Sequence, residues 1–238
     1  MHISRTPRFL TNNRILDLLP HNDYERFLPH LEPVRLISGK ILYMAGDKVG
    51  HAYFPLGGML SLVSTTESGD ATEVGMIGNE GMAGLPIILK ASATPYQITV
   101  QLPMNAMRVK SEVVRTEFNR GGALQDLLLR YTQAMLTQIS QSAACNRFHS
   151  VEERLCRWLL TSRDRVNSNS LQLTQEFLSQ MIGAPRSSVT AVAGALQRAG
   201  MLHYYRGKIQ IINPEGLKAT ACECYTFITE EISQLFAA

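Results

Sequence analysis

TQEFLSQMIGAPRSSVTAVA, residues 174–193, reads as a helix, a tight turn and a second helix. Leu178 and Ile182 are four apart and face inward on the first helix; Val189 and Val192 are three apart and face inward on the second, with Ala184 between the two pairs. Small Ser179 lies where the helices must cross closely, and Gly183 stands at the turn, where a residue free to adopt positive φ is needed. Arg186, Ser187, Thr190 and Ala191 are left on the outer face at the N-terminus of the second helix. A helix-turn-helix lays that end in the major groove of DNA, whereas an ordinary helical hairpin would bury it in a core. Thr174, Arg186, Ser187, Ser188 and Thr190 are the candidate DNA contacts of this unit.

The flanks complete a winged module. Thr174 is placed to cap the first helix, and Glu176 lies in its first turn, where the helix dipole favours an anion. Pro185 opens the second helix at a position where a missing N–H costs little, and Gly200 stops it. LHYYRGKIQII then predicts two short strands around Arg206-Gly207, a hairpin that offers Arg206 and Lys208 to a phosphate backbone. Between residues 171 and 213, Arg186, Arg198, Arg206 and Lys208 face Glu176 alone. The net charge of the whole chain, +3, therefore equals that of this segment. Phosphate neutralisation is the sequence-independent part of DNA affinity.

The 238 residues suffice for one large domain or two modest ones, and 45% hydrophobic content is that of a globular protein. No apolar run approaches the about 20 residues of a membrane span, and MHISRTPRFL lacks the apolar core of a signal peptide. A cytoplasmic protein is expected. Cys145, Cys156, Cys222 and Cys224 do not suggest a disulfide framework. Cys222-Glu223-Cys224 lacks the two-residue gap of common zinc knuckles, so these cysteines read as ordinary reduced thiols and no metal or cofactor is expected. His2, His21, His30, His51, His149 and His203 do not cluster in sequence with carboxylates at metal-ligand spacing. Nucleophile elbows and phosphate-binding glycine loops are absent, so no enzyme is expected.

After opening helices in NNRILDLLP and NDYERFLPHL, residues 32–109 contain short extended stretches: VRLI, ILYMAG, AYFPLGGMLSLVSTT, ATEVGMIG, YQITVQL and AMRV. Glycine and proline punctuate them, as in a β-sandwich or roll. A long helix is predicted over residues 122–145. Its positions Leu124, Leu128, Tyr131, Met135, Gln138 and Ser142 step by 4, 3, 4, 3 and 4, a heptad-like seam. Leu124, Leu128, Tyr131 and Met135 are expected to meet a second copy, although a helix packed on its own β-domain predicts the same stripe. Leu127 and Ile139 widen the apolar face. Ser150 and Glu153 have capping-box spacing at the next helix, with Leu155, Trp158 and Leu159 as its buried stripe.

In this order of parts, and in VEERLCRWLL, LTQEFLSQMIGAPRSSVTAVAGALQRAGML and the wing, the chain resembles bacterial regulators such as the cyclic-AMP receptor protein and the fumarate-nitrate reduction regulator. The resemblance implies an α+β fold: an N-terminal double-stranded β-helix (a cyclic-nucleotide-binding-like β-roll), a long dimerisation helix and a C-terminal winged helix-turn-helix. It places Arg186 where the family carries a guanine-contacting arginine. The glutamate and second arginine that commonly follow are replaced by Ser187 and Ala191, so an operator sequence does not carry over. In the sensor half, Glu80 corresponds to the family's ribose-binding glutamate, with Gly81 and Met82 beside it, while Gln97 and Ile98 stand where an Arg-Ser or Arg-Thr pair holds the cyclic phosphate. A neutral amide cannot make the charge-assisted contact that a phosphate pocket relies on. A ligand other than cyclic AMP, or none, is expected. No cysteine precedes Cys145, which excludes the N-terminal iron–sulfur arrangement of the oxygen-sensing branch.

The expected division is a β-roll sensor with N-terminal helices over 1–121, a dimerisation helix and hinge over 122–146, and a winged helix-turn-helix with a C-terminal helix over 147–238. The expected partners are a duplex DNA operator, a second copy of the chain, RNA polymerase if the protein activates, and an unknown small-molecule effector. The rival expectation is a metal- or ligand-binding β-roll whose helical tail only oligomerises.

Overall fold

The computed structural model describes residues 10–236. Helices α1 (Arg14–Leu18) and α2 (His21–Phe27) precede strands β1 (Glu32–Leu36), β2 (Ile41–Tyr43), β3 (His51–Pro55), β4 (Met59–Thr65), β5 (Ala71–Ile77), β6 (Gln97–Leu102) and β7 (Met104–Lys110). Helices α3 (Ser111–Arg120), α4 (Ala123–Phe148) and α5 (Val151–Val166) follow. A winged unit then runs through β8 (Ser170–Gln172), α6 (Gln175–Ile182), α7 (Arg186–Arg198), β9 (Leu202–Tyr205) and β10 (Lys208–Ile211), and the described chain closes with α8 (Pro214–Thr220) and α9 (Cys224–Leu235). His2 of the sequence reading lies outside the described residues.

The first seven strands make two antiparallel sheets, β1-β7-β3 and β2-β6-β4-β5, and the wing is a third, β8-β10-β9. Strand β4, MLSLVST, is buried over its first five residues because both of its faces are covered. Alternate side chains of a strand point to opposite faces. Leu60 and Leu62 enter the roll with Ile77, Ile98 and Val100. Met59 and Val63 point the other way, into a second core with Leu155, Trp158 and Leu159 of α5 and Leu178, Ile182 and Val189 of the winged unit. The outer face of the roll and the winged unit therefore share one core. The capping box at Ser150 is formed, with the Glu153 N–H donating to the Ser150 hydroxyl at 3.3 Å and the Ser150 N–H to the Glu153 carboxylate at 2.7 Å.

Helix α4 has two stripes. Leu124, Leu128, Tyr131 and Met135 are buried within the chain's own core, so the seam expected at a two-fold interface is consumed by the roll. Gln138 explains why that seam turns polar. Strand β5 is a sheet edge, and the Gln138 amide accepts from the Met76 N–H at 2.7 Å and donates to the Met76 carbonyl at 3.2 Å, standing in for a missing strand. One position round the helix, Leu129, Thr132, Leu136, Ile139 and Ala143 make a second heptad series on the uncovered face, where Leu129 and Leu136 are 50% and 56% exposed. Helix α9 leaves the winged unit and lies along α4, and its last residue Leu235 joins the roll core.

Trp158 is fully buried at the shared core, and its indole N–H donates to Glu73 of β5 at 2.9 Å. Ser61 of β4 donates to the other oxygen of the same carboxyl group. Burial outweighs both hydrogen bonds and pushes the Glu73 carboxyl from 4.5 up to about 7. An acid whose pKa is raised by folding keeps its proton in the native state after the unfolded chain has lost it. Its contribution to stability is full below pH 4.5 and is lost as pH rises through about 7. Glu73→Gln removes the ionisation while keeping an acceptor for Trp158. The variant should melt with the wild type near pH 4 and exceed it at pH 8 by an amount on the order of 3 kcal/mol. Trp158 is the chain's sole tryptophan, so its fluorescence reports the transition directly. Parallel stability curves across that pH range would remove Glu73 from this role.

Candidate nucleic-acid interface

Three devices set the geometry of the helix-turn-helix. Thr174 caps α6, its hydroxyl accepting from the Phe177 N–H at 3.1 Å. Gly183 ends α6 in the left-handed region at φ 57°, ψ 47°, where a side chain costs about 1–2 kcal/mol, and a Cβ there would lie 2.9 Å from the Thr72 hydroxyl. The buried Arg154 guanidinium of α5 donates to the Ile182 carbonyl at 3.0 Å, covering an acceptor that the helix end leaves free. Inward on α7 point Val189, Ala193 and Leu196. Arg186, Ser187, Thr190 and Ala191 are exposed, and Ser188 is half-buried. Arg186 lies 3.4 Å from Glu176, with both side chains more than 60% exposed. Such a pair contributes at most about 1 kcal/mol and leaves the guanidinium available to another anion or a base edge. Thr190 Oγ1 lies 2.8 Å from Gln175 Oε1.

The wing is fixed to α7 and to the segment that leads into α6. Arg206 and Gly207, at φ 47° and 76°, form the two-residue turn between β9 and β10. The Tyr204 N–H donates to Gln197 of α7 at 2.7 Å, and the Leu173 N–H donates to the Gly207 carbonyl at 2.7 Å. Arg206 lies over the ring of exposed Tyr205, 5.1 Å from its centroid, and Lys208 is exposed beside it. The wing turn stands against Thr174, whose methyl group would lie 3.6 Å from a Cβ on Gly207.

The candidate effector residues divide among different surroundings. Glu80 is buried and takes part in an ion pair with Arg165 of α5, accepting from its Nη2 at 2.9 Å and Nε at 3.1 Å and from the Gly78 N–H at 2.9 Å. Gly81 lies under Tyr131, and a Cβ there would stand 2.4 Å from the phenol oxygen. Met82 and Ile98 line a cavity of about 220 Å³ between the roll and α4, together with Leu62, Ile77, Tyr96 and Met135. Among the described residues no charged side chain lines it. Gln97 faces elsewhere, donating to the Thr99 hydroxyl at 2.8 Å in a cleft shared with Thr174 and Phe177.

Residues 153–220 match the family model of the Crp-like helix-turn-helix domain. The winged unit belongs to that family. Over 189 residues the chain is 22% identical to the global nitrogen regulator of Synechococcus elongatus, covering 75% of this chain and 85% of the relative. It is 23% identical over 185 residues to the global nitrogen regulator of a Nostoc species, covering 74% and 82% of the two chains. Among solved structures, a transcriptional regulator of the Crp/Fnr family from Eubacterium rectale superposes with TM-score 0.69 at 15% identity, covering 85% of this chain and 94% of that one. FixK2 from Bradyrhizobium japonicum gives 0.69 at 13% identity, covering 81% and 98%. Roll, long helix and winged unit are therefore arranged as in CRP/FNR-type structures. Among the described residues no helix is long and apolar enough to cross a membrane.

Within this Crp-like frame, Glu80 and Gln97 do not share a site, while Met82 and Ile98 do, and their shared cavity is apolar. The sequence reading missed β8, whose three residues are too few to show alternation, and it missed the two arginines that anchor α5. Arg154 and Arg165 are eleven positions apart, three helical turns, and so lie near one face with Trp158 and Thr161. Basic residues recurring on a helix's buried stripe were the available signal.

Proposed function

We propose that this chain is a homodimeric, DNA-binding transcription regulator that reads a two-fold operator through the first turns of α7, and works in the cytoplasm. The observation that carries this reading is the exposed row Arg186, Ser187 and Thr190 on the N-terminal end of α7, flanked by Thr174 and the basic wing. Arg186 is the base reader, because a guanidinium pairs bidentately with O6 and N7 of guanine. Arg206 and Lys208 hold phosphates on either side of the groove. The second stripe of α4, Leu129 to Ala143, is the two-fold seam. RNA polymerase is a further partner if the protein activates. The roll cavity favours an uncharged, mostly apolar effector or none. A cyclic phosphate there would lose its hydration with no cation to replace it. Thr132, Leu136 and Ile139 line that cavity and also belong to the seam, so an occupant would touch the dimer helix.

Titration of an operator duplex at several salt concentrations tests the DNA assignments. Arg186→Ala should cost about 1–3 kcal/mol per half-site and relax preference at one base pair. Arg206→Ala with Lys208→Ala should weaken binding to all sequences alike and lower the salt slope by about 2. Unchanged discrimination in the first variant, or a loss confined to one operator in the second, contradicts the respective role.

The seam has its own test. Glutamate at both Leu129 and Leu136 puts like charges across the two-fold axis and should give monomers in sedimentation, with the fold intact because both positions are exposed in the protomer. A double variant that stays dimeric places the interface elsewhere.

A further inference from the structure

At the end of α4, four side chains far apart in sequence come together. Cys145 lies in the last turn of α4 and His149 caps that helix; Cys222 and Cys224 lie at the junction of α8 and α9. Their ligand atoms all lie within 4.8 Å of one another. Cys145 Sγ is 3.5 Å from Cys222 Sγ, and Cys224 Sγ is 3.5 Å from His149 Nδ1. The three cysteines are buried and form a small cluster of their own, apart from both larger cores. Cys222 and Cys224 are free thiols, as the sequence leads one to expect, and the fold sets them against Cys145 and His149. The C-x-C pair has its partners in Cys145 and His149, which the fold supplies from a helix more than seventy residues upstream.

We propose that Cys145, His149, Cys222 and Cys224 bind one structural zinc ion. Three thiolates and one imidazole are a complete donor set for a closed tetrahedral site, with no position left for a substrate. With Zn–S bonds of about 2.3 Å, the edges of such a tetrahedron are roughly 3.8 Å, which fits the spread of these atoms. A disulfide accounts for the quartet less well. It would join one pair of sulfurs and leave the third cysteine and the histidine beside it without a purpose. A two-iron cluster divides its ligands between two metals and needs a wider frame than a single tetrahedron.

The surroundings have the features of an outer shell. His149 presents Nδ1 to the sulfurs and turns Nε2 toward Glu223 at 3.2 Å, the carboxylate–histidine–metal relay that fixes which ring nitrogen is free to ligate. The Gln141 amide donates to Cys224 Sγ at 3.1 Å. Because Cys145 and Cys222 are 77 residues apart, the ion closes a loop containing α5, the helix-turn-helix and the wing. It clamps the base of the winged unit to the long helix.

The test is metal analysis of the wild-type protein, purified without chelator and desalted. One zinc per chain, released stoichiometrically when the thiols are modified, is the expected result. Cobalt reconstitution should give the visible bands of a tetrahedral ion and thiolate-to-metal charge transfer. His149→Cys, which supplies a fourth thiolate, should keep the metal, and Cys222→Ser should lose it. Glu223→Gln should weaken zinc retention about 10–100-fold, as loss of an outer-shell partner does. Metal-free wild-type protein with its cysteines reactive, a Cys145–Cys222 disulfide, or iron with acid-labile sulfide would each overturn the proposal. These outcomes are read on the wild type and do not depend on any variant folding.

Discussion

Trp158 must find an acceptor for its indole N–H where water is excluded, and Glu73 of the roll provides it. An unmade hydrogen bond at such a site would cost about 1–3 kcal/mol, so this contact fixes where α5 sits. Much else follows from that placement. Four residues before Trp158, Arg154 covers the last carbonyl of α6; seven residues after it, Arg165 pairs with Glu80. Spacings of four and seven keep the three side chains near one face of the helix. One helix thus holds the reading unit, the roll sheet and the turn containing Glu80 in a single frame.

That frame changes the meaning of Glu80. A carboxylate resembling a sugar-binding residue serves here as the counter-charge of an arginine from the DNA-binding half. A buried pair of this kind adds little net stability, but losing one partner strands the other charge, commonly at about 3–5 kcal/mol. Tyr131 occupies the space above Gly81. The cavity between Met82, Ile98 and α4 has apolar walls, whereas Glu80 lines a separate cleft toward α5 and α9.

Much of this was legible in the sequence because it rests on local periodicity and caps. Thr174, Gly183 and the Ser150–Glu153 box stand where spacing puts them, and the strand stretches are found with their turns. What was not legible depends on which of two equivalent faces meets which partner. Leu128 and Leu129 are adjacent, each belongs to a heptad series, and the roll covers only the first. Periodicity gives both stripes and no means of assigning them. Glu80 and Gln97 aligned with one pocket in one dimension and separate in three, because Glu80 turns toward α5 and Gln97 toward Thr99. The cysteine–histidine quartet was hidden by distance along the chain: C-x-C near the end and C-x-x-x-H at the end of α4 mean little until α9 folds back.

The central claim is that two copies of this winged unit read DNA together. Selection of duplexes from a random-sequence pool by the full-length protein at physiological salt tests it most directly. The account predicts enrichment of a two-fold symmetric site whose half-site centres lie about one helical turn, or 34 Å, apart, with a guanine fixed in each half. A pool that emerges without an enriched motif, or with a single unrepeated half-site, would contradict it.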